Sequence, residues 1–127
     1  MERTTYIRLD RNILRWRWYT NPNTMRVFIH LLIKANVKDH DFEGVTIHRG
    51  ELATSYLTIK NELNLSIQSI RTALDHLKST GEITVKRYSK FQVISIVEYD
   101  RYQRQSTIKS TINQQSINNQ ITINQQI

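Results

Sequence analysis

Apolar residues recur at helical spacing in "PNTMRVFIHLLIKAN", which begins at Pro22. The i, i+3, i+4, i+7 pattern predicts an amphipathic helix of about 13 residues. Asn36 suits the end of this helix. Its buried face is expected to consist of Phe28, Leu31, Leu32 and Ala35.

Two further helices follow the first one closely. Thr54 or Ser55 can cap "YLTIKNEL", and Ser66 can cap the next helix, because a hydroxyl at the cap accepts a free backbone N–H. Between them, Asn64 tolerates the left-handed backbone that ends a helix. The third helix has its own apolar stripe at the same spacing, made of Ile70, Ala73, Leu74 and Leu77.

Period-two patterns predict strands around these helices. "VTIHRGEL" predicts a strand at residues 45–47, a turn at 49–50 and a second extended piece, whereas the preceding "VKDHDFEG" is interpreted as a charged loop. Gly81 ends the third helix. "EITVKRYSKFQVISIVEY" then predicts two strands around a turn at 88–90, and "VISIV", apolar on both faces, fits an inner strand.

The predicted order is helix, strand, helix, tight turn, helix and β-hairpin. Two helices joined by about three residues form a helix-turn-helix, and an added hairpin makes it a winged helix. We therefore predict an α+β fold over residues 21–103. It is a winged helix-turn-helix with a three-helix core, a β-hairpin wing and a small antiparallel sheet.

Residues 1–20 form a basic, aromatic N-terminal segment. Trp16, Trp18 and Tyr19 alternate with arginines and can stack on single-stranded bases. We favour the alternative, packing onto the core or a subunit interface. A strand that joins the same interface is expected upstream, at Tyr6, Ile7 and Leu9.

The composition changes abruptly near the C-terminal end. From about Gln105 the chain consists almost entirely of Gln, Asn, Ser, Thr and Ile. We predict that residues 104–127 are a low-complexity, disordered tail. A short helix induced by a partner is the alternative, since isoleucine recurs at 108, 112, 117, 121 and 127.

The net charge of +7 is unevenly distributed. Residues 1–26 carry +4, residues 27–100 are balanced, and residues 101–127 carry +3. A basic excess favours a polyanion such as nucleic acid, although ordinary solubility charge is the alternative.

Several classes of protein are not expected. The chain has no cysteine, which excludes disulfide frameworks, thiolate zinc sites and thiol nucleophiles. We expect no enzyme, cofactor or metal site, because no glycine-rich phosphate loop or acid/base pair is recognisable and the histidines lack ligand spacing. No apolar run approaches the ~18 residues of a membrane span, so a cytoplasmic protein without a membrane partner is expected.

The third helix offers a face for reading DNA. At 100° per residue, Gln68 and Thr72 lie nearly opposite the buried stripe, and Arg71 lies on its flank. In a major groove ~12 Å wide, Gln68 can pair with adenine, Arg71 with guanine or a phosphate, and Thr72 with a phosphate or a thymine methyl.

The remaining polar residues suit phosphate contacts, which give affinity without sequence information. Ser66 can also offer a backbone N–H to a phosphate at the start of its helix. The alternative for every one of these side chains is an ordinary solvated surface. The full set of predicted DNA contacts is Ser66, Gln68, Ser69, Arg71, Thr72, Lys78, Lys86, Arg87 and Lys90.

Four segments in this order resemble the N-terminal winged-helix domain of DnaD-like replication proteins of phages and prophages: "WYTNPNTMRVFIHLLIKAN", "VTIHRGELATS", "LSIQSIRTALDHLKSTGEITVK" and "FQVISIVEYDRYQ". The resemblance spans about residues 6–103. It implies a role in starting DNA replication: binding origin or single-stranded DNA, self-association and helping to load the helicase. It places the recognition helix at Ser66 to Lys78 and the wing at Lys86 to Phe91.

The chain departs from that family in two places. Asn64 stands where the family usually has glycine. Residues 105–127 resemble the polar linker that in family members leads to a C-terminal helical DNA-binding domain, so contacts made by that domain are not expected here.

Two functions therefore remain open. The first is a DNA-binding module for replication initiation in a phage or mobile element, or a transcriptional regulator with the same fold. The second is an interaction module that forms a homo-oligomer or binds replication proteins, with DNA contact secondary.

Overall fold

A computed structural model describes residues 6–103 of the 127-residue chain. The predictions for residues 1–5 and for the tail at 104–127 lie outside the described residues. Within 6–103 the fold is α+β, with four α-helices, one short 3₁₀-helix and two small antiparallel sheets. It is compatible with the predicted winged helix.

The helices are the 3₁₀-helix Arg11–Arg15, α1 (Pro22–Lys34), α2 (Tyr56–Leu63), α3 (Ile67–Ser79) and α4 (Tyr99–Tyr102). The strands are β1 (His40–Phe42), β2 (Val45–Ile47), β3 (Glu51–Thr54), β4 (Ile83–Arg87) and β5 (Gln92–Ile96). β1 pairs with β2, and the second sheet has the order β3-β5-β4.

The helix boundaries follow from their caps. Asn21 precedes Pro22, and its side chain accepts the backbone N–H of Thr24 at 3.1 Å. Ser55, rather than Thr54, caps α2. Because a residue in the left-handed region cannot continue a helix, α2 ends at Leu63: the next residue, Asn64, has φ 58° and ψ 45°. The predicted caps at Ser55, Asn64 and Ser66 and the 13-residue length of α1 are confirmed, whereas the C-terminal cap of α1 is Ala35 rather than Asn36.

The core lies between the helices and one face of the three-stranded sheet. α1 packs across α3, α2 packs against α3, and β5 is the central strand, as predicted for "VISIV". Both apolar stripes identified in the sequence are buried. The apolar residues with at most 2% of their surface exposed are Val27, Phe28, Leu31, Leu32, Ile47, Ile59, Ile70, Ala73, Leu74, Leu77, Ile83 and Ile94.

The charged loop predicted before β2 is instead a hairpin. β1 pairs with β2 in the register Phe42↔Val45, so only Glu43 and Gly44 form the turn. Both have positive φ, 52° and 79°, which is the backbone of the two-residue turns that match the twist of a hairpin. The sequence pattern concealed this strand because His40–Phe42 is exposed throughout and has no buried side to produce alternation.

The strand predicted at Tyr6, Ile7 and Leu9 is wrong. Residues 6–10 form no strand. Arg8 ties them to α4, because its backbone N–H donates to the carbonyl of Tyr102 at 2.7 Å and its guanidinium donates to the carbonyl of Asp100 at 3.1 Å. The side chain of Asp10 caps the 3₁₀-helix by accepting the N–H of Asn12, which turns the chain away from an extended course.

The last predicted strand is shorter than expected. β5 ends at Ile96 rather than continuing through "VEY", and Tyr99 begins the short helix α4. The Cβ of Tyr99 lies 2.8 Å from the place that a Cβ on Gly50 would occupy, so only glycine allows this approach. Gly50 also has φ +82°, a conformation that L side chains rarely adopt.

The tryptophans pack onto the core, as predicted. The indole N–H of Trp16 donates to Glu82 Oε2 at 2.8 Å, and that of Trp18 donates to Thr80 Oγ1 at 2.9 Å. Trp18 also stacks on His76 of α3, with ring centroids 4.1 Å apart. The segment before α1 is therefore fixed to the end of α3, whereas Tyr19 is exposed.

Candidate nucleic-acid interface

The outer face of α3 is free within the described residues, as the sequence predicted. Gln68, Arg71 and Thr72 are exposed, whereas Ile70 and Leu74 on the opposite face are buried. The amide of Gln68 donates to Thr72 Oγ1 at 3.3 Å, one turn along the helix. The helix is thus anchored on one side and presents hydrogen-bonding side chains on the other.

The two serines at the start of α3 act mainly on each other. Ser66 Oγ accepts the backbone N–H of Ser69 at 3.1 Å, and its hydroxyl donates to Ser69 Oγ at 3.0 Å. Ser66 is exposed and Ser69 is half-buried. Their first role is therefore capping, and a phosphate at this helix end would be met mainly by backbone N–H groups.

Tyr56, the first residue of α2, joins α3 to the wing. The guanidinium carbon of Arg71 lies 5.4 Å from the centroid of its ring, and that of Arg87 lies 5.9 Å from the same centroid. Arg87 Nη2 also donates to the Tyr56 hydroxyl at 3.2 Å. Two predicted contact residues from separate elements are thereby brought to one aromatic ring.

Strand alternation separates Lys86 from Arg87. Side chains at successive positions of a strand point to opposite faces. Ile83 and Val85 pack toward the core, so Arg87 shares the helix-facing side of β4. Lys86 lies on the other face, with its Nζ 5.6 Å from the ring centroid of Tyr88. The predicted wing cations therefore do not form a single cluster.

Aromatic rings stiffen the tip of the β4–β5 hairpin. Tyr88 stacks on Phe91 with centroids 5.0 Å apart, and its backbone N–H donates to the carbonyl of Phe91 at 2.8 Å. Phe91 in turn meets Phe42 of β1 edge-on at 5.1 Å. Lys90 is exposed on the turn between the stacked rings. The small β1–β2 hairpin thus packs against the tip of the wing through Phe42.

The predicted contact cations differ in whether a carboxylate lies beside them. Within residues 6–103, no carboxylate lies within 4.0 Å of Arg71, Lys86, Arg87 or Lys90. Lys78, the remaining predicted cation, pairs with Asp75 at 3.5 Å, so its charge is partly offset.

A shallow groove of about 320 Å³ separates the start of α2 from the wing. Tyr56, Arg87 and Lys90 line it, together with Gln92 of β5. Gln92 is 7% exposed, and its Oε1 has no hydrogen-bond partner among the described residues. The groove therefore combines cations, an aromatic ring and an unsatisfied amide oxygen.

The shifted ionisable groups have local causes. A hydrogen bond from His30, assisted by Lys34, holds the pKa of Glu62 below its usual value. The backbone N–H of Arg49 and the side chain of His48 lower the pKa of Asp39. Burial raises the pKa values of two tyrosines, namely Tyr99 and Tyr102.

The described part of the chain contains no group of three or more His, Asp or Glu side chains placed to hold a metal ion. Across residues 6–103, no helix has the length and apolar character needed to cross a membrane.

Comparison with known proteins found no matching family model, no matching curated protein and no matching solved structure.

Sequence reasoning missed the part played by Tyr56. The pattern of "YLTIKNEL" identifies Ile59 and Leu63 as its buried residues, and nothing in that pattern says which neighbours the half-buried Tyr56 contacts. The separation of Lys86 from Arg87 could have been found, because the alternation of Ile83 and Val85 already places Arg87 on the core side.

Proposed function

We propose that this chain is a winged-helix DNA-binding module. In this proposal α3 enters the major groove, with Gln68 reading base edges, and the β4–β5 hairpin is the wing that contacts the adjacent backbone. The support is an anchored helix of 13 residues with a free polar face, beside a hairpin that carries unpaired cations.

The observation that carries the proposal is the convergence of Arg71 and Arg87 on Tyr56. Two cations near one ring repel each other, and the described residues provide no carboxylate partner for either of them. A polyanion that approached this point would relieve the repulsion and gain two charge-assisted contacts. Phosphates on either side of a groove-bound helix would supply such charges.

The biological role that we propose is replication initiation in a phage or mobile element. It is supported by the resemblance of the four quoted segments to DnaD-like proteins, whose winged helix would have its helices and hairpin where α1–α3 and β4–β5 lie. Self-association and contacts with other replication proteins belong to the same proposal. A transcriptional regulator would use the same surface, and the sequence it selects would distinguish the two.

The rival function, an interaction module in which DNA contact is secondary, loses one of its supports. It drew on the aromatic N-terminal segment, but Trp16 and Trp18 are engaged within the monomer, through their rings and their indole N–H groups. They are accordingly unavailable for a subunit interface or for stacking on single-stranded bases unless this packing opens.

A binding titration with charge-matched variants tests the proposal. Fluorescence anisotropy would follow labelled duplex and single-stranded DNA with the full chain, the Arg71→Ala/Arg87→Ala variant and an Arg11→Ala/Lys38→Ala control. Both doubles remove two positive charges, but only the first removes them from the proposed interface. We expect the first double variant to lose at least tenfold in affinity, and the control to lose much less.

Equal losses from the two double variants would show that binding follows net charge alone and would refute the proposed interface. Circular dichroism of each variant ensures that the comparison is made between folded proteins. Stronger binding to single strands than to duplex would contradict groove docking by α3.

A further inference from the structure

The groove between α2 and the wing has a buried amide at its floor. In the sheet register, Gln92 of β5 lies opposite Thr54 of β3 on one side and Arg87 of β4 on the other. Directly opposed residues of antiparallel strands share a face of the sheet, so Gln92 lies on the same helix-facing side as Arg87. Because β5 is the central strand, the backbone of Gln92 is held by a neighbouring strand on each side. The amide therefore belongs to a fixed part of the groove.

This amide lacks a hydrogen-bond donor. Gln92 is 7% exposed, and its Oε1 has no partner within residues 6–103. A buried acceptor without a donor is unfavourable, because it has lost its hydrogen bonds to water without replacing them. The last torsion of a glutamine side chain has a broad, shallow preference, so a donor bound in the groove can draw the oxygen toward itself. A ligand with an N–H group would thus be favoured.

The walls of the groove restrict the ligand further. Its apolar lining includes Tyr56, Leu57 and Phe91, and Leu57 is 60% exposed. Its charged lining consists of Arg87 and Lys90, and the described residues around the groove include no Asp or Glu. A volume of about 320 Å³ is at the lower end of the range for small-molecule sites. The groove therefore suits a small ligand that combines a flat apolar ring, an N–H donor and a negative charge.

We propose that this groove binds one unpaired nucleotide of a DNA strand whose base carries an exocyclic amino group, namely adenine, cytosine or guanine but not thymine. The base ring lies against Tyr56 and Leu57, and its amino group donates to Gln92 Oε1. The phosphate of the same nucleotide meets Arg87 or Lys90. The inference rests on the proposed DNA-binding function and adds to it a preference for DNA that is partly unpaired.

Tyr56 connects this nucleotide to a duplex held by α3. Its ring is a wall of the groove and also lies 5.4 Å from the guanidinium carbon of Arg71. A strand that leaves a duplex bound on α3 therefore reaches the groove while its phosphates stay beside cations of one surface. Attachment to that duplex gives the unpaired nucleotide an effective concentration in the millimolar range. A free nucleotide lacks this advantage, so the unpaired strand is the expected ligand.

A comparison of unpaired extensions tests the proposal in the full chain. Fluorescence anisotropy would compare a blunt duplex with the same duplex carrying a short single-stranded extension of adenine or of thymine. We expect the adenine extension to bind about threefold more tightly than the thymine extension, or more, as one additional hydrogen bond allows. Gln92→Met keeps the unbranched shape of the side chain but lacks the amide, so it should abolish this ratio.

Gln103→Met is the matched control. Gln103 is also a buried amide, 4% exposed, and its Nε2 lacks a partner among the described residues, but it lines a different cavity. Exchange of an unsatisfied buried amide for an apolar group of similar shape can be neutral or stabilising. Both variants should therefore fold, which circular dichroism would check. Only the control should keep the preference for adenine.

A titration without duplex separates failure of this inference from failure of the proposed function. NMR would follow the backbone amide resonances of Tyr56, Tyr88 and Gln92 while deoxyadenosine monophosphate or thymidine monophosphate is added. Larger shifts with the adenine nucleotide, lost in Gln92→Met, are the result expected.

The remaining outcomes are decisive against the proposal. Equal binding of the two extensions, or an adenine preference that persists in Gln92→Met, would overturn the inference, and normal binding of the blunt duplex would then leave the proposed function standing. Failure of both duplex and extensions to bind would refute the proposed function. If the adenine nucleotide still bound the groove in that case, the ligand would be a free nucleotide and not a DNA strand.

Discussion

Arg71 on α3 and Arg87 on β4 are held beside the same ring, that of Tyr56, at 5.4 and 5.9 Å from its centroid. The first residue of α2 therefore fixes the wing relative to the helix that we propose to be the reading element. This explains how α3 and the wing can act as one surface with a defined placement of their charges.

Replacement of Tyr56 should weaken DNA binding without changing the net charge. Tyr56→Leu removes both ring contacts, each worth about 0.5–1 kcal/mol at an exposed site. If half of this contact energy contributes to binding, affinity should fall about two- to fivefold. Tyr56→Phe keeps the ring and loses only the hydrogen bond from Arg87, so its effect should be smaller. Anisotropy titrations that gave wild-type affinity for a folded Tyr56→Leu variant would show that the ring does not position the arginines.

Gln68 should determine sequence preference rather than overall affinity. A bidentate amide contact to adenine is worth about 1–3 kcal/mol of discrimination. Selection from a random DNA pool should therefore enrich one motif with the wild-type chain, and Gln68→Ala should relax it at one base pair. Lys86→Ala is the contrasting variant, since loss of a phosphate contact lowers affinity for all sequences alike. An unchanged motif with Gln68→Ala would exclude this residue as a reader of bases.

The left-handed backbone at Asn64 should be tolerant of glycine and intolerant of alanine. With φ 58° and ψ 45°, a Cβ-bearing residue that lacks the short polar side chain is strained by about 1–2 kcal/mol. Asn64→Ala should lower the free energy of unfolding in urea by roughly that amount, and Asn64→Gly should match or exceed the wild type. Equal loss from both variants would mean that the asparagine side chain, not the backbone, matters.

The ion pairs of Glu62 should make the stability of the domain depend weakly on pH. It meets His30 Nε2 at 2.8 Å and Lys34 Nζ at 3.1 Å, which joins α2 to α1 and lowers its pKa from the ordinary 4.5. A lowered folded-state pKa stabilises the fold above pH 4.5, and this contribution is lost as the pH falls through the folded value.

The corresponding measurement uses urea unfolding of Glu62→Gln. At about pH 7 this variant should be less stable by roughly 0.2–1 kcal/mol, as expected for a partly exposed ion pair. The difference in unfolding free energy between the wild type and Glu62→Gln should shrink below pH 4.5. Glu43→Gln, which removes the same charge from an exposed turn, is the control. A deficit that persisted undiminished in acid would point to packing rather than to charge.

Local rules were enough to predict much of the fold. The caps at Ser55 and Ser66, the left-handed Asn64 and the central position of β5 all depend on residues adjacent in sequence or on a simple period. The secondary-structure predictions were wrong where the sequence has no regular alternation of apolar and polar residues. The strand His40–Phe42 is exposed throughout, and its turn uses Glu43, a residue not typical of left-handed positions.

The candidate site was only partly predictable for the same reason. The exposure of Gln68 and Thr72 follows from helical spacing, whereas the approach of Arg71 and Arg87 to one point depends on Tyr56, a residue of another helix. The face of β4 that carries Arg87 follows from the alternation of Ile83 and Val85 along the strand. That Tyr56 would lie near both arginines depends on how α2 packs beside α3 and the wing, which no local pattern specifies.

The salt dependence of duplex binding tests the central claim most directly. On duplex DNA each neutralised phosphate contributes about −0.9 to the slope of log affinity against log salt concentration. If Arg71 and Arg87 each meet a phosphate, either alanine variant should make the slope shallower by about 0.9, and the double variant by about 1.8. Slopes and affinities equal to those of the wild type in all three variants would contradict DNA binding by this surface.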